Sequence, residues 1–291
     1  MEAQDELAAR RAIQEKELFK AELLATVSHE LRSPLASIKG YTSTLLLHER
    51  RISREERREF LVAIQEASNR LELIIDRLLE MSQLETGAIQ IASSAVDVVR
   101  LVREAITVTQ QRISSDTSDH VSFHLHLKDG AGRLTDEEPL VKADPRRLRE
   151  VLDHLLENAL NYSPEGGAID VILRPVPEGS VHQTRSESTT GGSSAYISRH
   201  MLEICVCDHG LGIPSEHLER IFDRFHRVDT RLTRERNGLG LGLTICKYLI
   251  ELHNGNIWAE SCPAGGSVFH VWVPVEEEEK SLTELAEMRI L

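Results

Sequence analysis

Apolar and small residues recur three and four apart along the first stretch of the chain, where Leu24, Val27, Leu31, Pro34, Ile38, Tyr41 and Leu45 form one stripe of a helix. A second stripe, Leu61, Ile64, Ser68, Leu71, Ile75 and Leu78, lies on a segment from about Ser53 to Glu85. Together they predict an α helical hairpin. Two helices with one stripe each enclose little core, so two hairpins paired into a four-helix bundle bury more apolar surface, and a homodimer is expected.

Beyond Gly87 the period changes. The pattern predicts a helix at 97–113, an alternating strand at 120–127 (HVSFHLHL), a helix at 145–161 and strands near 168–174 and 201–207. A last helix (LTICKYLIELHN) ends at Asn254-Gly255, and two strands follow around NIWAES and SVFHVWVPV. This order predicts an α+β sandwich with a mixed sheet covered by helices on one face. Residues 175–199, rich in Ser, Thr and Gly without periodicity, are expected to form a flexible insertion, and 276–291 an acidic tail opening with EEEEK. The expected division is a signalling helix or linker at 1–20, a helical domain at 21–87 and a second domain at 95–275.

Composition narrows the class. The 291 residues, 41% of them hydrophobic, supply a core for each of two domains. A formal net charge of -13 opposes nucleic-acid binding, and the arginines at 50, 51, 54, 57 and 58 alternate with glutamates as on a solvated helix face. No apolar run approaches the roughly 20 residues of a spanning helix, and MEAQDELAARR lacks the apolar stretch of a signal peptide, so a cytoplasmic chain without a membrane segment is expected. Cys205, Cys207, Cys246 and Cys262 show no paired metal spacing and read as reduced packing residues. His120, His124 and His126 share one strand face and read as exposed strand residues.

Chemistry enters with His29. If Leu24 takes an a position and Val27 a d position, His29 falls at f, farthest from the seam, and is expected to be exposed. Taken alone it reads as surface decoration. Glu30 follows directly, and Pro34 lacks the amide hydrogen that would bond the Glu30 carbonyl, so the helix is expected to kink or loosen there. A neutral imidazole is a nucleophile for phosphorus, and Glu30 can accept its proton.

In the second domain, Asn158, Asn161 and Tyr162 close an amphipathic helix; Asn158 is either a helix cap or an oxygen ligand for magnesium. The strand MLEICVC delivers Asp208 to DHGLGI, where Gly210 and Gly212 allow close approach and the carboxylate can accept a hydrogen bond from an adenine amino group. NGLGLGL (237–243) runs straight into a helix, a geometry that turns amides toward phosphate, and AGGS (264–267) reads as a turn before the last strand.

Residues 28–35, SHELRSPL, resemble the H box of the sensor histidine kinases of two-component signalling. The helix bearing Asn158 and the glycine-containing segments resemble the N box and glycine boxes of that family's ATPase domain, so the resemblance spans roughly residues 15–275. It implies that His29 is phosphorylated with Glu30 as general base, and that the hairpin is the dimerisation and phosphotransfer domain. It implies that Asn158 binds magnesium, Asp208 reads adenine and Tyr162 packs beside it. The segment Gly238, Leu239, Gly240, Leu241 and Gly242 would line the ATP phosphates with Asn161, Gly210 and Gly212 in the same site. IFDRFHRVD (221–229) resembles the phenylalanine-containing box, and Arg227 to Asn237 the ATP lid.

The implied activity is ATP-dependent autophosphorylation of a histidine in a homodimer, with magnesium, followed by transfer to an aspartate of a response regulator receiver domain. The chain departs from the pattern at Asn161, where a Lys or Arg is common, at His154, where a further Asn is frequent, and at Asn237-Gly238, usually Gly-Gly. Arg231, Arg234 and Arg236 of the lid could supply the missing cation. Two rivals stand beside this: a hydrolytic ATPase of the gyrase kind, which places a glutamate where His154 stands, and a dimeric scaffold that binds ATP without phosphorylating itself.

Overall fold

A computed structural model describes residues 27–112, 120–177, 180, 200–228, 239–262 and 265–276. The expected linker at 1–20, most of the 175–199 insertion and all of the tail but Glu276 lie outside the described residues. The chain forms two compact units, Met1–Ile89 with Asp223–Gly242 and Gln90–Phe222 with Leu243–Leu291.

The first unit holds two helices, α1 over 27–47 and α2 over Arg54–Glu85. A capping box starts α2: the Ser53 hydroxyl accepts from the Glu56 amide at 3.1 Å while the Glu56 carboxylate accepts from the Ser53 amide at 2.9 Å. The helices run antiparallel, because Tyr41 stacks on Phe60 at 5.4 Å while Arg70 reaches Glu30 at 3.3 Å. Helix α1 continues through Pro34. Proline removes one hydrogen bond, and here its ring is buried, which offsets that loss.

Within the protomer the stripe on α2 is partly covered. Ala67, Ile74, Met81 and Leu84 are buried, whereas Leu61 is 53% and Ile75 48% exposed and Ser68 is exposed. Ile64, Leu71 and Leu78 of the expected stripe are half-buried beside that line. Apolar residues flank the stripe on both sides, and sequence spacing does not choose between adjacent faces 100° apart.

In the second unit, β1 (Ser94–Asp97) runs into α3 (Val98–Arg112), and β2 (Val121–Leu127) and β3 (Leu140–Ala143) follow. Helix α4 (Pro145–Asn161) starts where Asp144 caps the Arg146 and Arg147 amides and Pro145, which has no amide to satisfy, takes the first helical position. Next come β4 (Gly167–Pro175), β5 (Met201–Cys207), α5 (Gly242–Leu252), β6 (Asn256–Ser261) and β7 (Ser267–Pro274). The sheet order is β2-β4-β5-β7-β6, with β2 and β4 parallel and every other pair antiparallel. A separate ribbon pairs β1 with β3.

Alternation divides the sheet into two faces. Ile169, Val171, Leu173, Leu202, Ile204, Val206, Phe269, Val271 and Val273 are all buried, and they meet the buried stripes of the helices, among them Val102, Leu152, Leu155, Ile245 and Leu249. The mixed sheet with helices on one face is as the periodicity predicts. The opposite face carries His124, His126, Asp170, Arg174, Glu203, Cys205, Trp258, His270 and Trp272.

Candidate nucleotide and phosphoacceptor sites

The antiparallel strand β5 ends at Cys207 and leaves the sheet at Asp208, which is 4% exposed. Its carboxylate is held by backbone donors: Oδ1 accepts from the Gly210 amide at 2.9 Å and from the Ser267 amide at 3.2 Å. Burial pushes the Asp208 carboxyl above the usual range, with these amides pulling the other way. A buried carboxylate with one oxygen fixed by the backbone keeps its second oxygen for an outside donor.

The turn at Asp208 lies directly against the end of α4. At Gly210 a side-chain carbon would sit 2.0 Å from the Tyr162 carbonyl oxygen, so no other residue fits without moving the backbone. The Leu211 amide donates to that same carbonyl at 3.0 Å. On the other side Gly266, at φ 90°, would place a side-chain carbon 2.0 Å from the Asp208 carbonyl oxygen. Asp208 is thus wedged between the end of α4 and the start of β7, with Gly212 completing the turn where the Ile213 amide bonds Ser261.

The closing residues of α4 face outward beside this wedge. Asn158 is half-buried, Asn161 exposed and Tyr162 37% exposed. An amide oxygen at Asn158 suits a hard cation such as magnesium. In the first unit Leu239 and Leu241 are buried and Gly240, at φ 66°, accepts from the Phe225 amide at 3.1 Å; Arg227 is exposed. Gly242 is the first residue of α5. Gly238 and the lid arginines at 231, 234 and 236 lie outside the described residues.

His29 is 82% exposed at its side chain, as its f position predicts, and its Nδ1 lies 4.0 Å from Glu30 Oε1. Glu30 is 13% exposed and its other oxygen, Oε2, accepts from Arg70 Nη2 at 3.3 Å. Arg70, 40 positions away, was not legible as a partner from spacing. Ser267 escaped notice too, being read as part of a turn, and its amide is a donor to Asp208. Ser163, buried with its hydroxyl unbonded among the described residues, adds a polar atom at the end of α4. A cleft of about 450 Å³ lined by His126, Lys128, Asp170, Cys207, Asp208 and His209 opens on the helix-free face, behind Asp208 from α4. Burial, with Asp170 nearby, pushes the Cys207 thiol there up to about 11, so it is a protonated packing residue near neutrality.

The fold and the wedge around Asp208 define an ATPase-type α/β domain following a helical hairpin. Residues 143–277 match the histidine kinase-, DNA gyrase B- and HSP90-like ATPase family, and residues 19–87 the His Kinase A (phospho-acceptor) domain. The circadian input-output histidine kinase CikA of Synechococcus elongatus is 33% identical over 270 residues, 93% of this chain and 31% of that protein. The sensor histidine kinase WalK of Bacillus subtilis is 31% identical over 261 residues, 90% of this chain and 38% of that protein. The chain therefore spans about a third of the length of these relatives.

Among solved structures, the Acinetobacter baumannii histidine kinase AdeS is similar at a TM-score of 0.56 and 18% identity, covering 86% of this chain and 98% of AdeS. The histidine kinase ThkA in complex with the response regulator protein TrrA is similar at 0.63 and 23% identity, covering 94% and 67%. These two establish the fold. With both domains matched in order, the chain belongs to the two-component sensor histidine kinases, whose kinase core it carries. No helix among the described residues is long and apolar enough to cross a membrane.

Proposed function

We propose that the chain transfers the γ-phosphoryl group of ATP to its own His29 and passes it on to an aspartate of a response regulator receiver domain. The observation that carries this is the exposed imidazole of His29 beside a half-buried Glu30 that Arg70 holds in place. An imidazole open to a bulky nucleotide, with an oriented carboxylate as proton acceptor, is the arrangement that attack on phosphorus needs. His29 attacks through its free ring nitrogen, and Glu30 takes the proton from the other nitrogen. Two domains matched to the family and a neighbour of similar fold bound to its response regulator support the reading.

In this reading the Asp208 carboxylate accepts a hydrogen bond from the adenine amino group, and Tyr162 packs beside the ring. Gly210 and Gly212 complete the adenine turn, while Gly238, Leu239, Gly240, Leu241 and Gly242 line the phosphates at the start of α5. Asn158 holds magnesium, with Asn161 and Arg227 toward the phosphates. Magnesium bound there supplies positive charge that offsets the phosphate charge during transfer. The domain limits follow the sequence: hairpin at 21–87 and ATP domain at 95–275.

The hairpin pairs with a second copy in a four-helix bundle. Leu61, Ile75 and Leu79 on α2 and Leu46 and Leu47 on α1 are each 48% exposed or more in the protomer, and a bundle would cover them. In this reading the domain works in the cytoplasm, where ATP is supplied. The test is incubation of the purified chain and a His29→Gln variant with magnesium and γ-labelled ATP. Acid-labile, alkali-stable label on the wild type alone supports the reading; ATP binding with no label on either protein overturns it in favour of a scaffold.

A further inference from the structure

The helix-free face of the sheet holds a cluster that nucleotide binding and phosphotransfer leave unused. Glu203 and Cys205 are alternate residues of β5 and project to one face, and His270 on β7 stands directly across from Cys205 in the strand register. All three are buried, at 5%, 3% and 8% exposure. His270 Nδ1 lies 2.9 Å from Glu203 Oε1 and 3.4 Å from Cys205 Sγ, and the three candidate ligand atoms all fall within 4.8 Å of one another. Zinc bonds of about 2.0–2.3 Å in tetrahedral geometry separate ligand atoms by about 3.3–3.8 Å. The His270–Glu203 and His270–Cys205 separations lie within about 0.5 Å of that spacing.

The surroundings match what an imidazole ligand requires. Arg174 bonds the second oxygen of Glu203, leaving Oε1 directed at the cluster. His270 Nε2 is buried with no hydrogen-bond partner, yet the Glu260 carboxylate stands 4.0 Å away. Trp258 stacks flat on the imidazole, 4.8 Å between centroids and 4° between planes, and fixes the ring. An orphaned buried nitrogen is costly. It acquires a purpose if Nδ1 gives its lone pair to a cation, because the ring proton then sits on Nε2 and turns to Glu260, the carboxylate–histidine–metal arrangement.

We propose that Glu203, Cys205 and His270 form a binding site for a thiophilic divalent cation, zinc first among them, on the helix-free face of the sheet. On binding, the Cys205 S–H bond breaks, its proton leaves to solvent and a zinc–sulfur bond forms. The His270 proton moves from Nδ1 to Nε2 through solvent, which frees the Nδ1 lone pair for the cation. Glu203 is already ionised, so two ligand charges neutralise the cation and a water takes the fourth position. Nothing in this depends on the kinase reading, since the three residues meet through strand pairing alone.

Cobalt(II) titration of the reduced full-length chain tests it. One equivalent should raise a thiolate-to-cobalt absorption in the near ultraviolet with visible bands of tetrahedral strength, both bleached by one equivalent of zinc. Cys205→Ser should abolish the near-ultraviolet band and His270→Gln should weaken cobalt binding at least tenfold, while Cys207→Ser and Cys262→Ser leave both unchanged. His270→Gln keeps an amide donor for Glu203, so it serves if Cys205→Ser fails to fold. Absence of a thiolate band in the wild type, or its loss in Cys207→Ser or Cys262→Ser with retention in His270→Gln, overturns the proposal.

Discussion

Replacing Gly210 by alanine drives a methyl carbon to 2.0 Å from the Tyr162 carbonyl oxygen and 2.6 Å from its carbon. An unforced carbon–oxygen contact lies at about 3.3 Å, so the Asp208 turn and the end of α4 must part by about 1 Å. The bond from the Leu211 amide to Tyr162, 3.0 Å long, cannot survive that displacement. Its loss costs about 1 kcal/mol, and forcing apart packed backbone adds roughly 1–3 kcal/mol. We expect Gly210→Ala to destabilise the second domain by about 2–4 kcal/mol, short of unfolding it. Because Asp208 moves against Tyr162, affinity for a fluorescent ATP analogue should fall at least tenfold, a drop of about 1.4 kcal/mol or more. Urea unfolding followed by circular dichroism gives the first quantity and fluorescence titration the second. Gly130→Ala, where a side-chain carbon meets nothing within 4 Å, is the control and should change both little. A Gly210→Ala protein as stable as that control, binding the analogue as tightly as the wild type, would refute the wedge as the basis of nucleotide recognition.

Gly40 lies inside α1 with open space around it, so Gly40→Ala should stabilise the hairpin by about 1 kcal/mol, read as a higher melting temperature; a lower one would mean that the face of Gly40 is packed against a partner. Burial would raise the Glu203 carboxyl, but bonds from His270 and Arg174 outweigh it and hold the group near 2 against an ordinary 4.5. A carboxyl lowered on folding contributes stability above its unfolded pKa, here about 3 kcal/mol, lost as pH falls from 4.5 toward 2. Denaturant titrations in chelator-treated buffer across that window should show the slope in the wild type and a flatter profile in Glu203→Gln; identical profiles would sink the argument. Arg70→Gln should slow autophosphorylation about tenfold to a hundredfold by freeing Glu30 from its ion pair, with ATP affinity unchanged and partial recovery in Arg70→Lys. A wild-type rate in Arg70→Gln would remove Arg70 from the positioning of Glu30.

Local chemistry made much of this molecule legible. Asp144-Pro145 announces the start of α4, because a side-chain acceptor followed by a residue without an amide suits a helix N-terminus and little else. A short apolar run placed β5 at Met201–Cys207, and heptad position alone placed His29 in solvent. The four-residue strands β1 and β3 were not anticipated, since so short a segment carries no usable period and acquires its ladder only from a partner more than 40 residues away.

What the sequence by itself determined is the identity of the longer elements, the exposure of His29 and the turn from Asp208 to Gly212, all of which depend on neighbours within a few positions. Tertiary structure decided the rest: the sheet order β2-β4-β5-β7-β6, which face of α2 is buried, the ion pair from Arg70 to Glu30, and the meeting of Glu203, Cys205 and His270. The Arg70–Glu30 pair joins residues 40 positions apart and the Glu203–His270 pair residues 67 apart. The free energy that selects them comes from burying many apolar side chains at once, and no local propensity encodes which distant partner a strand or a charge will find.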